Sequence, residues 1–351
     1  TSRRARQTPS REMGNAESSP EEVPVVECGD DVFREDADAG FAPTDHALDS
    51  AAGVAANLAA LNLPLEAVGE ASGGDKTFTA AAVERRMSDY KLESKVLGEG
   101  GFGKVKLATC TKTGHQVAVK IIKRNKLNER AEVLLKREVK HHERLRHPNI
   151  VRLYTWIKTP ARYFLVMECC PEGDLLQYLN ARRRLASAEA RHFFRHLLLG
   201  LRFCHGLGIF HRDLKLENLM LAADPSAPPT AAGWERRVVK IADFGLSDLT
   251  PVGLSTTYCG SPLYAAPELM SGGSREGYDA SRSDMWSCGV VLYALLASHL
   301  PFDADDIQAL IRLICSGVPS SPLPKERGAP AAELTASLMS VDPASRPTAA
   351  A

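Results

Sequence analysis

Hydrophobic and polar positions keep different rhythms along this chain. Val105-Lys106-Leu107-Ala108-Thr109 alternates like a strand, Gly114 marks a turn, and Gln116-Val117-Ala118-Val119-Lys120-Ile121-Ile122 reads as a second strand. Glu132–Arg146 is a charged helical run closed by His147-Pro148. The longest apolar stretch, near Met285–Ala297, contains Ser287, Cys288 and Tyr293. A membrane-spanning helix needs about 20 apolar residues, so no transmembrane segment is expected. Val54, Leu58, Leu61, Leu65 and Val68 would form a narrow helical stripe, but Pro64 interrupts it and Gly53 and Gly69 bracket it. A flexible Ala-rich linker is the preferred reading there, because short helices are marginal alone.

Composition divides the chain in two. Its 351 residues carry 43 basic and 43 acidic side chains, a net charge of zero that gives no case for nucleic acid. Within that balance, Glu17–Asp49 holds 11 acidic residues against a single Arg34. Beyond position 89 the chain is net basic by nine charges. Only Phe33, Phe41 and Phe78 supply aromatic surface before Ser88, too little to offset ordering entropy. Residues 1–89 are therefore expected to be a disordered acidic extension, and residues 90–351 the folded domain.

Eight cysteines occur, none as a C-x-x-C pair and none completed by a histidine pair into a zinc pattern. They read as reduced thiols of a cytoplasmic protein. His192 and His196 stand four apart without an acidic third ligand, which favours a helical packing role. Met13-Gly14-Asn15-Ala16-Glu17-Ser18 fits the N-myristoylation pattern if Met13 is the initiator. One acyl chain on Gly14, followed by acidic residues, would give only weak membrane association.

The chemistry begins at Leu97-Gly98-Glu99-Gly100-Gly101-Phe102-Gly103-Lys104-Val105. The spacing Gly98, Gly100, Gly103 also serves dinucleotide-binding folds, but there it leads from a strand into a helix. Here it bridges two strands, so the glycines form a hairpin that can lie over phosphates and offer backbone N–H groups. Lys120 stands on an apolar strand. A buried lysine needs an anionic partner, and the two candidates are a nucleotide phosphate and the helical Glu138.

Downstream come His211-Arg212-Asp213-Leu214-Lys215-Leu216-Glu217-Asn218 and Asp243-Phe244-Gly245. With these the chain resembles a eukaryotic protein kinase from Tyr90 to Pro347, its motifs in family order. The resemblance implies an α+β bilobal fold, with an antiparallel-sheet N-lobe over residues 90–168 and a mainly helical C-lobe over 169–351 whose last helix is cut short. It implies ATP and Mg²⁺ as cofactors and protein substrates as partners. Gly98, Gly100 and Gly103 would cover the phosphates, and Lys120 would contact them while held by Glu138. Leu97, Val105 and Ala118 would join the nucleotide site. Met167 would be its gatekeeper and Glu168, Cys169 and Cys170 its hinge. Asp213 resembles the catalytic base, Lys215 the residue steadying the transferred group, and Asn218 and Asp243 the metal-holding positions. Glu268, in Ala266-Pro267-Glu268, is matched with Arg346, and Asp284 resembles the brace of the catalytic loop.

Lys215, two residues after Asp213, is the serine/threonine pattern. Thr257–Glu268 and Asp284–Leu296 look most like the AMP-activated-kinase-like branch of the calmodulin-dependent group, whereas Glu138–Tyr154 looks more like aurora and polo-like kinases. Thr257 matches an activating phosphorylation position, with Arg212 as its cation and an upstream kinase as its implied partner. Asp174 and Glu217 match positions that hold basic residues of the substrate, although capping or solvated roles also fit. His142 stands where most relatives carry an apolar residue. Either a pH-sensitive balance or a satisfied buried histidine follows, and the second is preferred. Asp224–Arg237, rich in Pro and Ala, reads as a surface insertion. A kinase-fold scaffold without activity is the alternative reading, opposed by the complete set Lys120, Glu138, Asp213, Asn218 and Asp243.

Overall fold

A computed structural model describes residues 86–100, 103–224, 226–228, 231, 233–244, 262–270 and 278–351. Residues 1–85 of the acidic extension, with Gly14 and the 54–68 stripe, and Phe102, Thr257 and Cys259 lie outside the described residues, whereas Met87–Asp89 at its end form a short 3-10 turn. All described residues belong to one unit.

Chain order begins with five antiparallel strands and one helix. The strands are β1 (Tyr90–Gly100), β2 (Gly103–Cys110), β3 (Gln116–Lys123), β4 (Leu153–Lys158) and β5 (Arg162–Glu168), in the spatial order β1-β2-β3-β5-β4. Alternation on β3 decides what each face carries. Val117, Val119 and Ile121 pack with Tyr90, Ala108, Phe164 and Val166 on one side. Ile122 packs with Leu153, Tyr163 and Leu165 on the other, where helix α1 (Glu129–Arg144) closes the layer through Leu135 and Val139. Ala118 and Lys120 share that second face, because they stand four and two positions before Ile122.

Helix α1 starts three residues earlier than the charge pattern predicts, and ends two earlier. Asn128 caps it, its side chain accepting the Ala131 N–H at 2.8 Å. Glu129 and Glu132 lie in the first turn and His141, His142 and Arg144 in the last, which suits the helix dipole. Leu145 leaves the helix in an extended conformation and is fully buried, so the core claims the residue that the helical run would have continued through.

The second layer is mostly helical: α2 (Leu175–Arg182), α3 (Ser187–Gly206), the hairpin β6 (Leu219–Ala223) and β7 (Arg237–Ile241), then α4 (Pro267–Met270), α5 (Ala280–Ala297), α6 (Ile307–Ser316) and α7 (Ala329–Leu338). Helix α5 is buried at every position from Ser283 to Leu296. That is why its sequence is apolar all round rather than striped, and why the stretch from Met285 reads as a core helix rather than a membrane span. No helix among the described residues is long and apolar enough to cross a membrane. Trp286 stacks on Phe302 with ring centroids 5.7 Å apart. Truncating so buried an aromatic to alanine costs about 3–5 kcal/mol.

The β6–β7 connection carries the expected insertion and is held to the lobe. Arg237 pairs with Glu172 at 2.5 Å and lies over the Tyr178 ring. The His192 ring packs against Trp234 and hydrogen-bonds the Arg237 carbonyl at 2.9 Å. His196 accepts the Val239 N–H at 3.4 Å. The two histidines thus serve packing and hydrogen bonding, as their spacing suggests.

Candidate active site

Strand register assembles the upper wall. Gly98 pairs with Val105, Val105 with Lys120, and Lys120 with Leu165, so four strands contribute one transverse row. The neighbouring row is Leu107, Ala118, Met167 and Leu153. Directly opposed residues share a face of the sheet. Val105, Ala118, Lys120 and Met167 therefore all look toward α1 and the second layer. Leu97 is exposed near the end of β1. Gly100 pairs with Gly103, which confirms a hairpin rather than a strand-to-helix turn.

Glu168 closes β5, and its carboxylate is turned away from the interior of the row. It accepts the Arg152 N–H at 3.2 Å and pairs with Lys240 at 3.0 Å. Burial, aided by the Glu168 charge, pushes the Cys170 thiol up to about 12, so this sulfur stays protonated and unreactive.

The lower wall is the segment from His211 to Asn218. The Asp284 carboxylate, 1% exposed, accepts the backbone N–H of His211 at 2.9 Å and of Arg212 at 2.8 Å. His205 reaches the same carboxylate through Nε2 at 2.9 Å. His211 Nδ1 accepts the Asp213 N–H at 3.3 Å and its Nε2 donates to the Ala242 carbonyl at 2.8 Å. Lys215 lies 2.7 Å from the Asp213 carboxylate. The Asn218 amide nitrogen donates to the Asp213 carbonyl at 2.8 Å and to its carboxylate at 3.2 Å. Among the described residues no hydrogen bond is made to the side-chain oxygen of Asn218.

Backbone strain marks the same place. Among the described residues four non-glycine residues have positive φ: Arg183, Arg212, Asp243 and Ser298. Arg183 and Ser298 are helix C-caps, where such angles are ordinary. Arg212 at 65° and Asp243 at 62° have no such excuse, and they flank the site.

Asp243 joins the two walls. Its carboxylate is the ion-pair partner of Lys120. Burial would raise its pKa, but the Lys120 charge and hydrogen bond outweigh that and hold it below the usual value. The expected Lys120–Glu138 pair does not occur among the described ion pairs. Glu138 instead lines a small cavity, of about 20 Å³, with Lys120, Met167, Asp243 and Phe244. The Lys120 ammonium is engaged by Asp243 instead.

His142 also lines that cavity. Its ring lies 5.4 Å from Phe244, which in turn lies 5.0 Å from His211, so a column of three rings runs through the junction between the layers. His142 Nε2 meets the Val151 carbonyl at 2.8 Å, and burial lowers its pKa. The satisfied buried histidine is the observed state.

The two acids expected to meet substrate are both engaged. Asp174 caps α2, accepting the Gln177 N–H at 2.8 Å. Glu217 is exposed and accepts the Tyr264 hydroxyl. The segment from Pro262 also meets α5, where Ser287 donates to the Tyr264 carbonyl at 2.9 Å. Sequence reasoning missed Tyr264 and His205, whose partners are 47 and 79 positions away and leave no local pattern.

Comparison with known proteins agrees with this geometry. Residues 91–351 match the protein kinase domain family. The chain is 44% identical over 267 residues to "Sucrose non-fermenting protein kinase 1" of Fusarium virguliforme, covering 76% of this chain and 36% of that protein. It is 42% identical over 264 residues to "Serine/threonine protein kinase OSK3" of Oryza sativa subsp. indica, covering 75% and 48%. It is 40% identical over 242 residues to "CBL-interacting serine/threonine-protein kinase 1" of Arabidopsis thaliana, covering 68% and 51%. The chain thus spans about half, or less, of the length of these relatives, which belong to the AMP-activated-kinase-like branch that its motifs resemble. With the family match over its whole folded body and the two walls described above, this chain belongs to the protein kinase domain family.

Proposed function

We propose that the chain transfers the γ-phosphoryl group of ATP to serine or threonine hydroxyls of proteins. The observation that carries this reading is the Asp213–Lys215–Asn218 cluster, braced from below by Asp284 and faced from above by Lys120 and Asp243.

The residues fit Mg²⁺ and a nucleotide. Asn218 has spent its amide N–H groups on Asp213, which leaves a neutral oxygen donor, and Asp243 supplies an anionic one. Two oxygen ligands of this kind suit a hard cation that takes its remaining ligands from phosphate and water. Bound there, the cation would neutralise charge developing on the phosphates. Lys120 and Lys215 add fixed positive charge from opposite walls. Asp213 accepts the proton of the attacking hydroxyl, its carboxylate oriented by Lys215 and Asn218. Since the transferred group needs positioning and charge stabilisation rather than covalent chemistry, these residues suffice.

Finer features rest on less. Glu217, exposed beside the catalytic loop although it also accepts the Tyr264 hydroxyl, supports a preference for basic residues upstream of the target hydroxyl, whereas Asp174 is less exposed and caps α2. Arg212 is exposed next to Asp213, which supports pairing with a phosphate placed on Thr257 by an upstream kinase. The unpaired cysteines support a cytoplasmic protein, and an acyl chain on Gly14, followed by acidic residues, would add only weak membrane contact. The test of the core reading is incubation with Mg²⁺-ATP and a Ser/Thr peptide library, followed by identification of the phosphorylated residue. Label on Ser or Thr supports it. Nucleotide binding without any transfer, also after treatment with an upstream kinase, would favour a scaffold.

A further inference from the structure

Glu132 stands in the first turn of α1, on the same stripe as Leu135, Val139 and His142. By sequence it is one more charge in a charged helix. Its surroundings say otherwise. The Tyr163 hydroxyl, from β5, donates to its carboxylate at 2.5 Å. Arg124, just past the end of β3, reaches it at 3.2 Å. Lys158, from the end of β4, lies at 3.5 Å, and Lys136 of the same helix at 3.1 Å.

The pair with Lys136 alone would be worth little, being an exposed contact one helical turn apart. The other three partners come from the ends of three different strands. They are arranged around one ring, for Arg124 and Lys158 also lie 5.7 Å and 5.9 Å from the centre of Tyr163. The hydrogen bond from Tyr163 and those from Lys136 and Arg124 hold the Glu132 carboxyl down at about 2, so it is anionic at any physiological pH. Burial and the Glu132 carboxylate push the Tyr163 hydroxyl up to about 12, so it remains a donor.

We infer that Glu132 is a positioning residue for phosphoryl transfer, fastening the N-terminal end of α1 to the ends of β3, β4 and β5. The inference rests on the kinase reading for its consequence and on the geometry for its substance. Between Glu132 and Glu138 the helix advances about 9 Å, and Glu138 and His142 then line the cavity shared with Lys120 and Asp243. Among the described contacts the helix also meets the sheet through apolar packing of Leu135 and Val139, which resists separation but allows sliding, and at its far end His142 bonds the Val151 carbonyl. One carboxylate with three directional partners on the sheet removes that freedom.

The test is Glu132→Gln, with Tyr163→Phe as the milder variant and Glu326→Gln, in an exposed pair with Arg184, as control. Two readouts are taken: the dissociation constant for Mg²⁺-ATP, and amide hydrogen exchange along α1 and α5. Neither needs turnover, so a chain that binds ATP without transferring phosphate would fail the proposed function and still test this inference. Glu132→Gln should weaken ATP binding about fivefold, within the range of residues that act through another element, and speed exchange in α1 at Leu135–His142 while α5 stays protected. Tyr163→Phe should do the same more weakly, and the control neither. ATP affinity within twofold of the parent in both variants would overturn it. So would exchange that rises equally in α1 and α5, because that is general loss of stability rather than loss of position.

Discussion

Arg346 and Glu268 meet through two parallel hydrogen bonds of 2.7 and 2.8 Å, with the guanidinium wholly buried. The remaining donors of Arg346 go to the carbonyls of Ser340, Arg282 and Val341. All five guanidinium N–H groups are thereby used. This pair ties α4, and with it the segment leading out of the site, to the end of the chain.

Removing Glu268 leaves that cation buried without its counter-charge. Glu268→Gln should cost about 3–5 kcal/mol, the penalty for breaking a buried ion pair. Arg346→Lys should approach the same loss, because an ammonium cannot copy a planar five-donor fork. Urea titration of both variants checks this. Stability within 1 kcal/mol of the parent in either would contradict it.

Asp284 holds the catalytic segment by two backbone N–H groups, one of them on the strained Arg212. Asp284→Asn can accept only one of them with its single oxygen. The strand of chain bearing Asp213 should relax by a fraction of an ångström or more, and misplacement of about 1 Å costs about 100-fold in rate. The expected signature is a fall in kcat with KM for ATP little changed, read by steady-state kinetics.

How far the sequence foretold all this depended on the range of the interaction. Asp213, Lys215 and Asn218 lie within six positions, so once the resemblance had named them their meeting in one cluster followed from their closeness in the chain. The glycine hairpin was legible because alternation on both sides excluded a helix. Glu268–Arg346 and Asp284 were recoverable only through resemblance, for nothing local links partners 78 or 72 positions apart. Three things were not legible. A charged helix does not say which of its acids meets the sheet, so Glu132 was indistinguishable from its neighbours. Lys120 was matched with a nucleotide phosphate or Glu138, and its partner Asp243, 123 positions away, was not among the expected ones. Asp174 looked like a substrate contact because a capping acid and a binding acid are the same residue type.

One buried and one half-buried histidine make the fold acid-sensitive. In the unfolded chain they take a proton near pH 6.5, whereas burial lowers His142 and takes His147, with help from Lys240, to about 4. Between those values the unfolded state binds more protons, so stability is full above pH 6.5 and falls as pH falls, by about 1.4 kcal/mol per pH unit for each fully shifted group. Unfolding free energies measured from pH 7 down to pH 5 should decline, and His142→Leu should flatten the slope. The same variant should leave the pH dependence of activity between pH 7 and 8 unchanged, since the imidazole is already neutral there. An unchanged slope would contradict the assignment.

Two glycines of the hairpin should behave differently. A Cβ on Gly103 would lie 1.9 Å from the Ile121 carbonyl oxygen, whereas one on Gly98 meets nothing within 4 Å. Gly103→Ala should force β2 from β3 and destabilise the fold by about 1–3 kcal/mol or more, while Gly98→Ala leaves the melting temperature unchanged. Thermal denaturation of the pair separates these outcomes, and equal melting temperatures would refute the contrast.

The most direct measurement is phosphoryl transfer from Mg²⁺-ATP to a Ser/Thr peptide by the parent and by Asp213→Asn, with ATP affinity determined in parallel. If Asp213 accepts the hydroxyl proton, the variant keeps its affinity for ATP and loses on the order of 100- to 10,000-fold in kcat, the contribution of a positioned general base. Equal kcat in parent and variant, or a parent that binds ATP and transfers nothing, would contradict the account.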